Sequence, residues 1–266
     1  KLQINEASTP LSFDQIASDP LLLSSLKRFH FCDALLERLF ISLRQTMLFN
    51  TVQDMTIPNS HLNLAHDMAI QAQLNEYVWP ITSDEEKIIE SLEQLLIQIT
   101  EETQWQLDDI APAVIILAQY KDLSTTSIAA VLNFENVQKT LEFSPLKDII
   151  EYAINTRNKE INLAKKLPYW SSGDSDDKNA ISQRVKNQYE DNPYPRWKDI
   201  GFNTASSYQS ALLKNFPDLN LSHWQGKQKL NVLVAGCGTG RQAIRLASYF
   251  NDLNIVAIDL SGRALA

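Results

Sequence analysis

The chain has 266 residues, 44% of them hydrophobic, which is enough to bury a sizeable core in one large or two smaller domains. Its 24 basic and 32 acidic residues give a formal net charge of -8, so no broad basic surface is available for a nucleic-acid backbone. No apolar run approaches the roughly 20 residues needed to cross a bilayer. We therefore expect neither nucleic acid nor a membrane as a partner.

The cysteines and histidines predict neither a disulfide framework nor a metal site. Cys32 and Cys237 are far apart in the sequence, which is typical of a protein in a reducing compartment. His61 and His66 lie on different faces of a helix rather than at the i, i+4 spacing of a metal-binding pair. We expect a cytoplasmic protein without a bound metal.

The glycines divide the chain into two regions. All seven lie between Gly173 and Gly262, and the first 172 residues contain none. Because glycine supplies turns with positive φ and close backbone approaches, its absence favours helices joined by Pro, Asn, Asp and Ser connections. We predict an irregular all-helical domain over residues 1–170, without a fixed-period repeat, and a linker that starts with the polar segment 171–177.

Several helices of this first domain have recognisable starts. Asp19 and Pro20 predict an N-cap followed by the first helical residue. Ser83 and Glu86 match a capping box at the start of another helix. Further helices are predicted over about 110–120, 124–132 and 145–165. An apolar stripe at helical spacing, with Glu37, Arg38 and Arg44 off it, predicts a core face formed by Leu35, Leu36, Leu39, Phe40 and Leu43.

The region 230–266 has the pattern of a β-α-β unit. Residues 230–235 form a short β-branched run that leads directly into a glycine loop over 236–240. Residues 241–250 have helical spacing, and residues 254–259 resemble a second buried strand. Such a loop lets the backbone approach a ligand closely, while Asp259 at the end of the second strand can accept hydrogen bonds from ribose hydroxyls.

The spacing within the loop bears on the ligand. A dinucleotide fingerprint has the form Gly-x-Gly-x-x-Gly/Ala, whereas this loop has Gly-x-Gly-x-Gly with Arg241 at the sixth position. A bulky arginine there hinders the close helix packing and pyrophosphate approach of an NAD site. The pattern thus favours a nucleoside ligand without phosphates over NAD.

The residues from Val232 to Gly240, with Asp259 ending the next strand, resemble the first motifs of class I S-adenosyl-L-methionine (SAM)-dependent methyltransferases. The resemblance implies an α+α/β chain in which a helical domain precedes the start of a doubly wound Rossmann-like domain. It implies SAM as cofactor and Asp259 as ribose acceptor. It also implies a cofactor-binding loop formed by Gly236, Cys237, Gly238 and Gly240.

A second segment, Gln188 to Trp197 (QYEDNPYPRW), is similar to the stretch that precedes the methyltransferase domain in bacterial tetratricopeptide-repeat-associated methyltransferases. It lies in a predicted region of linker and pre-motif helices over 171–229. Its two prolines should hold it extended so that it can close over a ligand pocket. Its candidate cofactor-binding residues are Tyr189, Tyr194, Arg196 and Trp197. The alternative is that Tyr194 and Trp197 only pack the linker onto the sheet.

The resemblance implies that the sequence is the N-terminal portion of a SAM-dependent methyltransferase. It does not identify the methyl acceptor, which is either a protein or a small molecule. We expect the domain to continue beyond Ala266, with the catalytic residues there, and this chain alone to be inactive. No tetratricopeptide repeat is visible in the sequence, and whether such repeats precede Lys1 is left open. The alternative function is a helical protein-interaction module joined to a degenerate or non-catalytic Rossmann-like domain. In both cases the helical domain can carry a protein partner.

Overall fold

A computed structural model describes residues 12–31, 33–102, 104–133, 137, 144, 146–167, 180–201, 205–222 and 229–266. It divides the chain into two compact units, Lys1–Arg157, here called the helical unit, and Asn158–Ala266, here called the strand-containing unit. Cys32 and the proposed linker 171–177 lie outside the described residues. The domain boundary between residues 170 and 171 therefore stays a prediction.

All regular elements described in the helical unit are helices. They are α1 (Phe13–Ala17), α2 (Pro20–Leu26), α3 (Ala34–Asp54), α4 (Asn59–Leu74), α5 (Ser83–Glu102), α6 (Leu107–Leu117), a 3₁₀ helix (Leu123–Thr125), α7 (Ile128–Leu132), α8 (Lys147–Ile150) and a π-helix (Glu151–Thr156). The core lies between α3, α4, α5 and α6, and α6 is buried over most of its length. None of the described helices is long and apolar enough to span a membrane.

The start of α2 confirms the cap predicted from Asp19 and Pro20. The Asp19 carboxylate accepts a hydrogen bond from Leu22 N at 2.8 Å, and Pro20 is the first helical residue. The predicted capping box of α5 is wrong by one residue. Thr82 rather than Ser83 is the cap, because Thr82 N donates to Glu85 Oε2 at 2.8 Å and Glu85 N donates to Thr82 Oγ1 at 3.3 Å.

The predicted core face of α3 is correct at its C-terminal end and wrong at two positions. Phe40 and Leu43 are buried, but the side chain of Leu35 in the first turn is 74% exposed. Arg44, predicted to lie off this face, is only 1% exposed. The buried stripe of α3 therefore continues through Arg44 towards Met47 and Leu48, and a charged side chain occupies part of the core.

Arg44 is buried because it joins a polar network centred on Glu85, which is 0% exposed. Arg44 Nη2 donates to the Pro80 carbonyl at 2.6 Å and lies 3.8 Å from Glu85 Oε1. The guanidinium carbon lies 4.2 Å from the centre of the Tyr120 ring, and the Tyr120 hydroxyl donates to Glu85 Oε1 at 2.8 Å. Thr82 Oγ1 and Gln45 Nε2 donate to Glu85 Oε2 at 2.8 and 3.1 Å. The buried carboxylate thus has the paired environment that burial requires.

The elements described in the strand-containing unit are α9 (Arg157–Ala164, whose first residue still belongs to the helical unit), α10 (Ala180–Asp191), α11 (Tyr208–Asn215), β1 (Leu230–Ala235), α12 (Arg241–Tyr249), β2 (Leu253–Ile258) and α13 (Gly262–Leu265). The two strands pair in parallel, with Leu230 opposite Leu253 and Ala235 opposite Ile258. Because consecutive side chains alternate between the two faces of a strand, Leu233 and Val256 share a face. Both are exposed there, by 62% and 61%.

Candidate functional site

The glycine loop joins β1 to α12 in a conformation that glycine permits. Gly236, Gly238 and Gly240 have φ values of 69°, 54° and 76°, all in the left-handed region that other L-residues rarely adopt. The loop is anchored to the end of β2, since Gly236 N and Cys237 N both donate to the Ile258 carbonyl, at 2.9 and 3.1 Å. The loop and the residue after β2 therefore lie side by side at the carboxyl edge of the strand pair.

Asp259 joins the two parts of this edge. Its Oδ2 accepts a hydrogen bond from Gly238 N at 2.7 Å, and its Oδ1 accepts one from Ser261 N at 2.9 Å. A carboxylate has about four acceptor positions, and the described residues fill two of them, which leaves acceptor capacity for hydroxyl donors of a ligand. The half-buried carboxylate of Asp259 can thus order the loop and still bind a ribose.

The glycines differ in the space around them. A Cβ on Gly236 would have no atom within 4 Å, so a ligand can approach the backbone there. A Cβ on Gly238 would lie 3.0 Å from the Tyr194 carbonyl oxygen, so that position is filled by the chain itself. The structure therefore leaves open space at the start of the loop and a close backbone contact in its middle.

That contact comes from the segment that follows α10. Thr239 Oγ1 donates to the Pro195 carbonyl at 2.6 Å, and Trp197 Nε1 donates to the Thr239 carbonyl at 3.1 Å. The Tyr194–Pro195 peptide bond is cis. Two hydrogen bonds thus hold residues 194–197 against the glycine loop. Sequence spacing does not predict this role of Thr239, because its partners lie more than 40 positions away.

The structure brings only some of the predicted site residues together. Gly236, Gly238, Gly240, Cys237 and Asp259 share one edge, and Tyr194 and Trp197 lie beside the loop. The Tyr194 side chain is 58% exposed and available to a ligand.

Tyr189 and Arg196 have other contacts. The Tyr189 carbonyl accepts a hydrogen bond from Ser261 Oγ at 3.1 Å, which places the backbone of Tyr189 beside the segment after β2. Arg196 Nη1 lies 3.8 Å from Glu160 Oε1, and this half-buried ion pair occupies its guanidinium. The Tyr189 backbone and the Arg196 guanidinium thus form part of the site's surroundings.

The electrostatic environment of Cys237 favours a neutral thiol. Burial, together with the negative charge of Asp259, raises the pKa of the thiol above its ordinary value. Its Sγ lies 3.6 Å from the Gly238 carbonyl. A neutral thiol is a poor nucleophile, so Cys237 serves the loop as a small side chain. Among the described residues no group of three or more His, Cys, Asp or Glu is arranged to hold a metal ion.

Comparison with known proteins finds similarity to a methyltransferase over part of the chain. Over 70 residues the chain is 31% identical to the tRNA (guanine-N(7)-)-methyltransferases of Mycobacterium leprae strains Br4923 and TN. The match covers 26% of this chain and 28% of each relative. No family model matches the chain, and no solved structure matches it. The chain thus matches little more than a quarter of the length of these curated methyltransferases.

Proposed function

We propose that this chain is part of a class I SAM-dependent methyltransferase whose cofactor binds at the glycine loop and Asp259. The observation that carries the proposal is the 2.7 Å hydrogen bond between Gly238 N and Asp259 Oδ2. It joins the loop after β1 to the acid after β2 at the carboxyl edge of a parallel strand pair, where open α/β sheets bind nucleotides. The similarity to curated methyltransferases supports the same conclusion.

The residues present suit a nucleoside ligand. The open space at Gly236 permits close approach of a ligand to the loop backbone, and the remaining acceptor positions of Asp259 suit the two hydroxyls of a ribose. When bound, SAM supplies a methyl group already activated on a sulfonium sulfur. The contribution of this chain is to hold and orient that cofactor. Arg241, the first residue of α12, disfavours the pyrophosphate of NAD at the same place.

For the methyl acceptor, we propose a protein or a small molecule, in a cytoplasmic setting. The relatives are named for tRNA, but they match only a quarter of this chain. The formal net charge of -8 gives this chain no broad basic surface with which to neutralise phosphates.

Replacing Asp259 with alanine should weaken binding of S-adenosylhomocysteine, the demethylated cofactor, roughly 10-fold to 150-fold in calorimetric titration. The loss of charge-assisted hydrogen bonds to the ribose corresponds to about 1.5–3 kcal/mol. Asp199→Ala is a matched control. Asp199 Oδ1 accepts a hydrogen bond from the backbone N–H of Gly201, two residues later, at 2.8 Å, just as Asp259 Oδ1 accepts one from Ser261 N. Asp199→Ala should keep the affinity, and NAD should not bind. A folded Asp259→Ala variant with unchanged affinity would contradict the assignment.

The alternative function is a protein-interaction module, which would draw on exposed apolar side chains of the helical unit, among them Leu21, Leu35 and Val78. The same titration separates the two functions. A chain that is folded but binds neither S-adenosylhomocysteine nor NAD would support the interaction module with a degenerate nucleotide site.

A further inference from the structure

Hydrogen bonds join the C-terminal end of α10 to the segment that follows Asp259. Glu190 Oε1 accepts a hydrogen bond from Gly262 N at 2.7 Å, and Glu190 Oε2 accepts a longer one from Arg263 N at 3.4 Å. The Glu190 carbonyl also accepts from Arg263 Nη1 at 2.5 Å. A carboxylate from 72 positions earlier in the sequence thus satisfies the free backbone donors at the start of α13.

Ser261 forms a second connection between the same two segments. Its side chain is completely buried, and its Oγ donates to the Tyr189 carbonyl at 3.1 Å while accepting from Ala264 N at 3.0 Å. Its backbone N donates to Asp259 Oδ1 at 2.9 Å. A continuous series of hydrogen bonds therefore runs from the end of α10 through Ser261 to Asp259, and from Asp259 to Gly238 N of the loop.

The ion pairs around Arg263 hold the same region. Arg263 Nη2 lies 4.0 Å from Glu160 Oε2, and Glu160 Oε1 lies 3.8 Å from Arg196 Nη1. These three side chains are all less than one-fifth exposed. The segment after β2 is thus held by backbone hydrogen bonds to Glu190 and by the ion pair of the Arg263 side chain with Glu160 of α9.

We propose that Glu190 is a positioning residue for the nucleoside site. By fixing Gly262 and Arg263, it holds Ser261 where the Ser261 backbone N–H donates to Asp259 Oδ1 and so orients the Asp259 carboxylate towards the glycine loop. Glu190 acts through Asp259 and does not touch the ligand. The inference rests on the proposed function for its ligand, while the ordering of the loop by Glu190 can be measured without one.

Asp252 provides a matched control, because it caps a helix of the same unit at the opposite edge of the strands. Its carboxylate accepts from Tyr208 N at 2.7 Å and from Ser207 Oγ at 2.8 Å, at the start of α11. Asp252 precedes β2, whereas Asp259 follows it. If both carboxylates only stabilise the unit, replacing either one should affect the glycine loop to the same degree. If Glu190 positions the loop, only the replacement of Glu190 should change the loop.

The first test is hydrogen–deuterium exchange of the ligand-free chain. Glu190→Ala should speed exchange about tenfold in peptides covering 236–240 and 259–265, as expected when a local hydrogen-bond network is weakened. Asp252→Ala should speed exchange around residues 206–215 and leave 236–240 unchanged. Unchanged exchange of 236–240 in Glu190→Ala, or equal acceleration there in both variants, would overturn the inference.

The second test is the affinity for S-adenosylhomocysteine. Glu190→Ala should weaken this affinity about tenfold, which is within the range of coupling energies between residues of one hydrogen-bond network. Asp252→Ala should leave the affinity unchanged. Glu190→Gln should recover most of the affinity, because its amide oxygen can still accept from Gly262 N. In an Asp259→Ala background, Glu190→Ala should cause no further loss. Additive losses in the double variant would overturn action through Asp259.

These readouts separate the two proposals. If the unaltered chain does not bind S-adenosylhomocysteine, the proposed function fails, and accelerated exchange at 236–240 in Glu190→Ala still supports the role of Glu190 in ordering the loop. If the unaltered chain binds and Glu190→Ala changes neither the exchange nor the affinity, the positioning role fails and the proposed function stands.

Discussion

Replacing Glu85 with alanine is expected to lower the free energy of unfolding of the helical unit by about 3–5 kcal/mol, the usual effect of removing one member of a buried ion pair. Arg44 would remain in the core with an uncompensated charge, 1% exposed, and the Tyr120 hydroxyl would lose the acceptor 2.8 Å away. Thr82 would also lose the partner of its backbone N–H, which caps α5.

Urea unfolding followed by circular dichroism measures this loss, with exchange of α3 and α5 amides assigning it to the helical unit. Glu86→Ala is the matched control, because Glu86 is the next residue of the same helix and is exposed. It should change the stability by less than about 0.5 kcal/mol. The double variant Arg44→Met, Glu85→Ala should lose less than the sum of the single variants, since no unpaired charge remains. A loss from Glu85→Ala as small as that of Glu86→Ala would contradict the buried-pair interpretation.

The pKa of Glu85 gives this prediction a pH dependence. Burial alone would raise the pKa, but the hydrogen bonds donated by Thr82, Gln45 and Tyr120 outweigh it and hold the pKa below its ordinary value. A lowered pKa in the folded state stabilises the fold fully above the ordinary glutamate pKa, and this contribution is lost as the pH falls through the lowered value. Glu85→Gln should therefore flatten the acid limb of the stability profile measured by urea unfolding.

Sequence patterns predicted local features of the fold better than its long-range contacts. The Asp19 cap of α2 and, to within one residue, the start of α5 follow from residues within one helical turn. Leu35 fits an apolar stripe by spacing alone, yet it lies in the first turn of α3, where it is left exposed. The burial of Arg44 depends on Pro80, 36 positions away, and on Glu85, and helical periodicity carries no information about such partners.

The same distinction applies to the candidate site. The glycine spacing and the position of Asp259 at the end of β2 could be predicted, because the loop and the acid each follow directly from a strand. The contacts of Glu190 with Gly262, and of Thr239 with Pro195, join segments 72 and 44 positions apart. The similarity of the QYEDNPYPRW segment is visible in the sequence, but the capping role of Glu190 depends on a contact with Gly262 that local spacing does not encode.

The second large effect is expected at Gly238, where alanine should destabilise the strand-containing unit by about 2–5 kcal/mol. A left-handed backbone costs about 1–2 kcal/mol for an L-residue, and φ is +54° here. The new Cβ would also lie 3.0 Å from the Tyr194 backbone oxygen, and displacing packed backbone costs about 1–3 kcal/mol more. Moving Tyr194 should also break the Thr239–Pro195 and Trp197–Thr239 hydrogen bonds.

Gly236→Ala separates the two causes, because Gly236 has a similar φ of +69° and no atom within 4 Å of the added Cβ. Hydrogen exchange of the strand-containing unit should give about 1–2 kcal/mol for Gly236→Ala and the larger loss for Gly238→Ala. The indole N–H of Trp197, assigned by Trp197→Phe, should exchange faster only in Gly238→Ala. Equal losses in the two variants, with the indole unaffected, would mean that the contact of the 194–197 segment with the loop contributes nothing to stability.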